Sequence, residues 1–467
     1  MTSEPSGKTA RPTGALARPV GRISLLTAVS VVVANMVGTG IFTSLGFQVV
    51  SLSSGFVLLV LWVVGGVCAF CGALAYAELG AALPRSGGEY ALLTRIISPP
   101  AGFLAGWVSM IAGFPAAVAL SALAFGRYLH GLSPSVPPLA TGIVMLLAVT
   151  AVHWSGLRLG SRFQVTTTMI NIATIVVIVT AGLFVPWHGT VSFTPTRDDL
   201  GTLFGAPFAI SLVFVMFTYS GWNAATYISG EVAEPERNVP RAVATGTGIV
   251  FMLYLALNAF FLLSTPREAM KGQVEVALVA ARTAFGPVGG SAMGLVIAVL
   301  LVSSVSSMVW AGTRVTVAVG EDFPRLAFFS RRSEGGSPRP AIALQTLVTL
   351  LMMATGTFES VLIFLQFTLL LSSFVTVMGV YILRWREPDL PRPYRAWGYP
   401  VTPAVFMACS LWMMVFVALQ RPTESILGIL SLLAGLLAYF AAGRGGGSAG
   451  RAGTEGPGTN QAFTESH

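Results

Sequence analysis

Two short glycine-containing stretches interrupt long apolar runs and have the composition of a binding site built from backbone. The first, VGTGIF, contains Gly38 and Gly40, and the second, YSGWN, contains Gly221. Glycine in a helix interior costs about 1 kcal/mol relative to alanine, so a helix is expected to break at each stretch. A broken helix presents free N–H groups, which suit a carboxylate, and free carbonyls, which suit an ammonium group. The chemistry indicated is the binding of a zwitterion without an ionised side chain.

The elements that must position these stretches are predicted from composition. Of 467 residues, 54% are hydrophobic and 10% are charged, and the mean hydropathy is +0.76. A soluble domain carries about 25% charged residues. Recurrent apolar runs therefore predict an all-α integral membrane protein. We predict twelve spans, at about 23–48, 55–83, 95–126, 136–156, 163–186, 203–229, 241–264, 289–319, 340–356, 359–383, 399–419 and 424–442.

Charge placement predicts the orientation. Most of the 27 Lys and Arg residues lie in the two tails and in alternate connections, so both termini are expected in the cytoplasm and the protein in the cell membrane. The net charge of +8 then reflects orientation in the lipid bilayer and not nucleic-acid binding, because no basic run is interleaved with aromatic residues. Residues 1–20 and 443–467 are predicted to be disordered cytoplasmic tails around one transmembrane domain, 21–442.

Several function classes lack sequence support. No glycine-rich phosphate loop is present, which argues against ATP-driven transport. A membrane enzyme would need converging acid, base or nucleophilic groups, whereas the four histidines lie at span ends or in the tail. The three cysteines, Cys68, Cys71 and Cys409, lie in apolar runs, so neither a metal or cofactor nor a disulfide-linked subunit is expected.

The two glycine breaks fall in the first and sixth spans. These positions correspond if spans 1–5 and 6–10 form an inverted repeat, and paired interruptions of this kind are typical of the binding site of a secondary transporter. The alternative is that the glycines allow close helix packing. One break alone would favour packing, whereas two matched breaks favour a site.

Four ordered motifs carry a resemblance to a known family. NMVGTGIF resembles the first-helix signature of the amino acid–polyamine–organocation superfamily, and residues 217–243 resemble the sixth helix and following loop of its amino acid permeases. Residues 75–93 and 386–400 resemble two further signatures of the L-amino acid transporter branch. The resemblance implies a LeuT-like fold with broken helices 1 and 6. It consists of a 5+5 inverted repeat, about 23–187 and 203–383, followed by two extra helices at 399–442.

The resemblance also implies a function and a site. The function is secondary active transport of an amino acid by alternating access, with spans 3, 8 and 10 completing the pocket. The residues implied to donate amides to the substrate carboxylate are Gly38, Thr39, Gly40 and Ile41. Those implied to contact the ammonium group through carbonyls are Met36, Phe217 and Ser220. Gly221 belongs to the second break. Trp222 could serve as a gate or as a packing aromatic, and Asn223 is expected to tie the broken backbone.

One position departs from the family. Asn171 stands where many members of the family carry a lysine. The ammonium group of that lysine occupies the place that a sodium ion takes in related sodium symporters. A sodium or proton coupling site near it is one hypothesis, and serines bonded to their own helix are the alternative. The candidate ion-site residues are Ala34, Val37, Asn171, Ser303, Ser304, Ser306 and Ser307.

The remaining acidic groups are assigned to the surface. Glu78 lies near Arg85 at the inner end of the second span, and Glu89 follows Gly87 and Gly88 in an inside loop. Solvated loop charges are favoured for these groups over interfacial ion pairs that gate the inner side. With no acid or base in the predicted pocket, a neutral amino acid is the favoured substrate. A cation-coupled amino acid or polyamine symporter, a channel and a non-transporting amino acid sensor remain the alternatives.

Overall fold

The computed structural model describes residues 24–85, 87–155, 170, 173–174, 176–177, 180–182, 184, 188–227, 229 and 232–443. The helices of the first half are α1 (Leu25–Met36), α2 (Gly40–Ser51), α3 (Gly55–Ala82), α4 (Gly88–Ile96), α5 (Pro99–Trp107), α6 (Phe114–Leu132) and α7 (Pro138–Ser155). Those of the second half are α8 (Arg197–Leu203), α9 (Ala206–Tyr219), α10 (Ala224–Tyr227), α11 (Pro235–Ser264), α12 (Arg267–Met270), α13 (Val276–Asp322), α14 (Arg339–Thr355), α15 (Phe358–Arg386), α16 (Val401–Gln420) and α17 (Pro422–Ala442).

The described part of the chain contains nine spans that are long and apolar enough to cross a membrane. The pair α8 and α9, bent by 61°, makes a tenth if it is counted as one span, and α14 is a shorter apolar helix. The predicted fifth span, 163–186, lies mostly outside the described residues. The chain is therefore an all-helical membrane protein, as the composition predicts.

Both predicted helix breaks are present. Helix α1 begins at the N-cap Ser24, whose side chain accepts a hydrogen bond from the Thr27 amide, and it ends at Met36. Helix α2 begins at Gly40 after an interruption at Val37–Thr39. In the second half, α9 ends at Tyr219, and Ser220 is extended (φ −61°, ψ 153°). The apolar environment makes each break costly, because backbone groups in lipid must find partners within the protein.

A third irregularity divides the predicted span 95–126. Residues Val108–Gly113 form a π-helical segment between α5 and α6, immediately before Phe114 and Pro115. Proline lacks an amide hydrogen and disturbs the hydrogen-bonding ladder of the turn before it. Such π-bulges occur frequently at functional sites.

The surface of the helix bundle is strongly apolar. Phe184, Val288, Leu437 and Phe440 are each at least 69% exposed. A water-soluble protein rarely displays so much contiguous apolar surface. Exposed apolar side chains suit the hydrocarbon of a bilayer, while the large aromatics Trp62, Tyr219 and Tyr254 fill the interior.

One buried ion pair joins distant parts of the chain. Glu78, at the end of α3, is 1% exposed, and its carboxylate accepts hydrogen bonds from Arg384 Nε at 2.8 Å and Nη2 at 2.7 Å. Arg392 lies 3.7 Å from the same carboxylate. The favoured expectation of a solvated charge is therefore wrong for Glu78, and Arg85, its neighbour in the sequence, lies 3.7 Å from Asp322 instead.

Candidate functional site

A cavity of about 620 Å³ reaches both helix breaks from one side of the molecule. It lies between α1, the π-helical segment, the second break, α13 and α15. Leu26, at the start of α1, lines it and is 77% exposed, so the cavity opens at the end of the bundle where α1 begins. The expectation that the third, eighth and tenth spans complete the pocket agrees with the lining, which includes Ser109, Phe114, Ser307, Trp310, Leu365 and Gln366.

The opposite side of the first break is closely packed. Ile41, Phe42 and Leu45 of α2 are at most 1% exposed. The Tyr128 hydroxyl donates a hydrogen bond to the Phe42 carbonyl at 2.9 Å. Substrate could therefore reach the breaks only from the α1 side of the described structure.

The two breaks contact each other through backbone. Gly221 has φ +108°, and a Cβ placed on it would lie 2.6 Å from the carbonyl oxygen of Asn35 and 3.0 Å from the Met36 nitrogen. Real Cβ atoms are not found so close to other atoms, so only glycine fits here. Asn35 and Gly221 both line the cavity. The chain thus brings two stretches more than 180 positions apart in sequence to the wall of one cavity.

The predicted residues divide into two groups. Phe217, Ser220, Gly221, Trp222 and Asn223 line the cavity, as does the ion-site candidate Ala34. The residues implied to bind the carboxylate lie deeper: Thr39 is 2% exposed and Ile41 is fully buried. Gly38, Gly40 and Met36 are likewise absent from the lining. The cavity therefore reaches the second break directly and the first break at Ala34 and Asn35.

Two of the carbonyls predicted to bind the ammonium group, those of Met36 and Phe217, already accept hydrogen bonds from the protein. The Tyr254 hydroxyl donates to the Met36 carbonyl at 2.6 Å. The Ser220 hydroxyl donates to the Phe217 carbonyl at 2.6 Å, and the Ser220 amide donates to it at 3.0 Å. A carbonyl oxygen has two lone pairs, so Met36 retains one acceptor site, whereas Phe217 has filled both.

Gly40 also serves in helix packing. A Cβ on Gly40 would lie 2.4 Å from the Thr218 hydroxyl oxygen and 2.8 Å from the Thr218 Cα, so α2 and α9 cross at van der Waals contact. Thr39 is held nearby, where its hydroxyl contacts that of Ser121, which lies 3.3 Å from the Ser304 hydroxyl. Gly40 therefore allows the close helix packing that the sequence left open as an alternative. This packing does not depend on whether the Gly40 amide binds substrate.

Two buried polar atoms in the cavity have no hydrogen-bond partner within the described residues. These are Nε1 of Trp222 and Oε1 of Gln366. The two side chains are 5% and 3% exposed, and both line the cavity. Buried polar groups in native proteins are nearly always paired, so these two enclosed atoms are exceptions beside the cavity. Trp222 itself packs edge-on against Tyr76 and Phe406, which supports its role as a packing aromatic, and its role as a gate stays a prediction.

Glu89 overturns two expectations. The sequence places it in a solvated loop, but it is 3% exposed at the start of α4, and it lines the cavity. The predicted absence of an acid from the pocket is therefore also wrong. The cause is tertiary: the turn at Gly87 and Gly88, both with positive φ, directs α4 inward, where it meets the Tyr227 ring. That Gly-Gly pair is the sequence signal that could have located the carboxylate.

Three of the four candidate ion-site serines, Ser304, Ser306 and Ser307, have hydrogen-bond partners. Ser307 donates to the Ser304 carbonyl at 2.9 Å, and the Ser306 hydroxyl lies 2.8 Å from Nε2 of His153. Asn171 lies outside the described residues. No group of three or more His, Cys, Asp or Glu side chains that could hold a metal occurs in the described ranges. The sodium site stays a prediction, and the Ser307 bond supports the alternative of serines bonded within their helix.

Sodium dependence tests this alternative. If Ser307 serves only its own helix, as its bond to the Ser304 carbonyl suggests, amino acid uptake into proteoliposomes should be equal in sodium and in choline buffers, for the wild type and for Ser307→Ala alike. Uptake that requires sodium in the wild type and loses that requirement or its activity in Ser307→Ala would establish the ion site instead.

Comparisons with known proteins identify the relatives of this chain. The family model described as "Amino acid permease" matches residues 23–439. The chain is 27% identical over 434 residues to the b(0,+)-type amino acid transporter 1 of Mus musculus, covering 90% of this chain and 87% of that protein. It is 27% identical over 433 residues to the large neutral amino acids transporter small subunit 2 of Mus musculus (90% and 80%). It is 28% identical over 433 residues to the Asc-type amino acid transporter 1 of Mus musculus (90% and 80%).

Proposed function

Since the chain belongs to the amino acid permease family, we propose that it carries a neutral L-amino acid across the cytoplasmic membrane by alternating access. It is a multi-pass membrane transporter and not an enzyme. The observation that carries the proposal is the contact between the two helix breaks at the wall of a cavity that is open on one side.

Zwitterion binding at this position has a physical basis. A charge taken out of water costs many kcal/mol unless it is paired or hydrogen-bonded. The start of α2 carries the positive end of a helix dipole, and the ends of α1 and α9 carry negative ends. We assign the carboxylate to the amides of Gly38, Thr39, Gly40 and Ile41, and the ammonium to the carbonyls around Met36 and Ser220. Since the α2 amides lie behind packed side chains, substrate entry must include a small opening of the first break.

The lining of the cavity supports a neutral side chain. Apolar groups dominate the wall, among them Val31, Phe114, Met308, Leu369 and Phe406. A pocket lined mainly by such groups favours an apolar ligand surface, with a few polar atoms fixing the orientation. Because Glu89 lines the cavity, the absence of an acid no longer supports a neutral substrate. The apolar lining supports it instead.

The full architecture that we propose has twelve spans with both termini in the cytoplasm. Two inverted repeats, about 23–187 and 203–383, form the transport core, and two further helices follow at 399–442. With the basic connections inside, the cavity faces the cytoplasm, because it opens where α1 begins. Rocking of the two repeats would close this mouth and open the packed side around Phe42 and Tyr128.

Ligand-induced stabilisation tests the proposed site. Ala34 lines the cavity beside the first break. We expect a set of neutral amino acids to raise the melting temperature of the purified protein, and Ala34→Leu to abolish that shift by filling the site. A ligand at about 100 times its Kd stabilises the folded state by about 2.7 kcal/mol, which is readily measured. Gly40→Val is unsuited to this test, since it would collide with Thr218.

The matched control is Ala404→Leu, which makes the same change on an exposed face of α16. It should keep the full amino acid shift. Equal shifts in both variants would refute the location of the site. A screen in which lysine or arginine stabilises and leucine does not would replace the neutral substrate with a cationic one.

A further inference from the structure

Glu89 is a buried carboxylate in the transport cavity with no role in the binding of a zwitterion by backbone. Four side chains form hydrogen bonds with it. The hydroxyls of Tyr76 and Ser372 donate to Oε1 and Oε2 respectively, Ser373 donates to Oε1 at 3.2 Å, and Asn223 contacts it through its side chain. A carboxyl group buried in this way is positioned by α3, α15 and the second helix break together.

The negative charge of Glu89 is not balanced by an ion pair within the described residues. No salt bridge joins it to a cation in the described part of the chain. From α3 the titratable neighbour is Tyr76, from the α10 segment it is Tyr227, and α15 supplies only serine hydroxyls. Helix α5 carries no titratable side chain, and Arg314 of α13 lines the same cavity.

The donors suit both protonation states of the group. Serine and tyrosine hydroxyls can donate to a carboxylate, and after a rotation they can accept from a carboxylic acid. A cluster of hydroxyls therefore satisfies Glu89 whether it is ionised or protonated, unlike an arginine, which can only donate. An arginine at this position would hold the ionised form permanently.

Glu89 is also connected to the moving part of the site. Asn223 follows the second break directly, and its amide lies 3.5 Å from the Tyr227 hydroxyl. Glu89 thus links α4 and α15 to the segment that binds substrate. A change of charge on the carboxylate would alter the strength of its hydrogen bonds with Asn223 and Tyr76. The relative stability of the two states of the alternating-access cycle would change as a result.

We propose that Glu89 binds the proton that is transported together with the amino acid. The inference rests on the proposed function and deepens it. A proton from the aqueous phase at the open mouth adds to the carboxylate, and it leaves to the other aqueous phase after the access change. No other bond is formed or broken. Protonation removes the uncompensated charge before the site closes, which lowers the cost of excluding water from it.

The direction of the pKa shift agrees with this geometry. Burial raises the pKa of the Glu89 carboxyl above its ordinary value, while the hydrogen bonds from Ser372, Tyr76, Ser373 and Asn223 oppose that rise. A raised pKa means that the group takes up a proton at a higher pH than an exposed glutamate. We therefore expect uptake to fall as the external pH is raised through this pKa.

A pH gradient tests the proposal. In proteoliposomes with a clamped membrane potential, the wild type should accumulate a labelled amino acid above equilibrium when the outside is acidic, and a protonophore should abolish the accumulation. Glu89→Gln should show no gradient-driven accumulation, yet it should still exchange labelled for unlabelled amino acid, because the backbone site is intact. Glu89→Asp, which keeps a carboxylate, should retain part of the accumulation. The control Glu236→Gln, on an exposed position at the start of α11, should behave as the wild type.

The other outcomes are equally informative. Accumulation by Glu89→Gln equal to that of the wild type would overturn the role of Glu89. Exchange without any gradient-driven accumulation in the wild type would also overturn it, while leaving the proposed function standing. Failure of the wild type to transport any amino acid would instead remove the proposed function.

A second variant keeps the proposal testable if Glu89→Gln does not fold. Ser373→Ala removes one hydrogen bond that stabilises the ionised form. The pKa of Glu89 should rise further, so the pH at which uptake is half-maximal should move to a higher value. An unchanged pH profile in a folded Ser373→Ala protein would contradict the proposal.

Discussion

Glu78→Ala is expected to lower the free energy of unfolding by about 3–5 kcal/mol, the cost typical of removing one partner from a buried ion pair. The Glu78 carboxylate binds Arg384 through two hydrogen bonds and also accepts one from the Ala396 amide at 2.6 Å. Arg392, whose side chain is 4% exposed, would lose its nearest counter-charge. The substitution leaves the Arg384 guanidinium and the Ala396 amide without their acceptor, whereas the Arg392 guanidinium keeps its hydrogen bonds to backbone carbonyls.

Glu387→Ala is the matched control. Glu387 also binds an arginine through two hydrogen bonds, from Arg95 Nη1 at 2.6 Å and Nη2 at 2.8 Å, but these side chains are 33% and 52% exposed. An exposed pair of this kind contributes about 0–1 kcal/mol. Unfolding in mixed detergent micelles measures both variants. Equal losses for the two would show that burial does not set the strength of the Glu78 pair.

Gly221→Ala is expected to have the largest effect on transport. A non-glycine residue at φ +108° is strained by about 1–2 kcal/mol, and the new Cβ would lie 2.6 Å from the Asn35 carbonyl oxygen. The two breaks must then separate. Losing one hydrogen bond to a charged substrate group costs about 1.5–3 kcal/mol, which corresponds to a roughly 10- to 100-fold weaker Kd.

Initial uptake rates in proteoliposomes and ligand-induced thermal shifts measure this loss. Gly248→Ala is the control, because its Cβ would meet no heavy atom within 4 Å in the middle of α11. That variant should be slightly more stable, by up to about 1 kcal/mol, and should transport normally. Wild-type transport by a folded Gly221→Ala protein would mean that the contact between the breaks is not part of the site.

The helical spans and their interruptions were predictable because their causes are local. A membrane helix satisfies its own backbone hydrogen bonds, so an apolar run of sufficient length identifies it without knowledge of its neighbours. For the same reason the glycines at 38, 40 and 221 predicted breaks that the structure contains. The amino acid permease family followed from motifs that are likewise continuous in sequence.

The roles of single side chains depend on contacts that the sequence does not contain. Gly40 packs against Thr218, so its substitution is expected to damage folding. Gln366 carried no local signal, yet its side chain lines the cavity, and its Oε1 is buried without a hydrogen-bond partner in the described residues. Glu78 finds its arginine 306 positions along the chain and not at the nearby Arg85.

The sequence by itself determined a membrane protein whose first and sixth spans break at glycine, because hydrophobicity and backbone freedom are properties of single residues and short segments. Only the tertiary structure decided that the breaks meet at Asn35 and Gly221, and that Glu89 lies inside the cavity and not in a solvated loop. A charged residue is usually exposed because burial is costly. Whether three hydroxyls and an amide will converge on it depends on how distant helices pack.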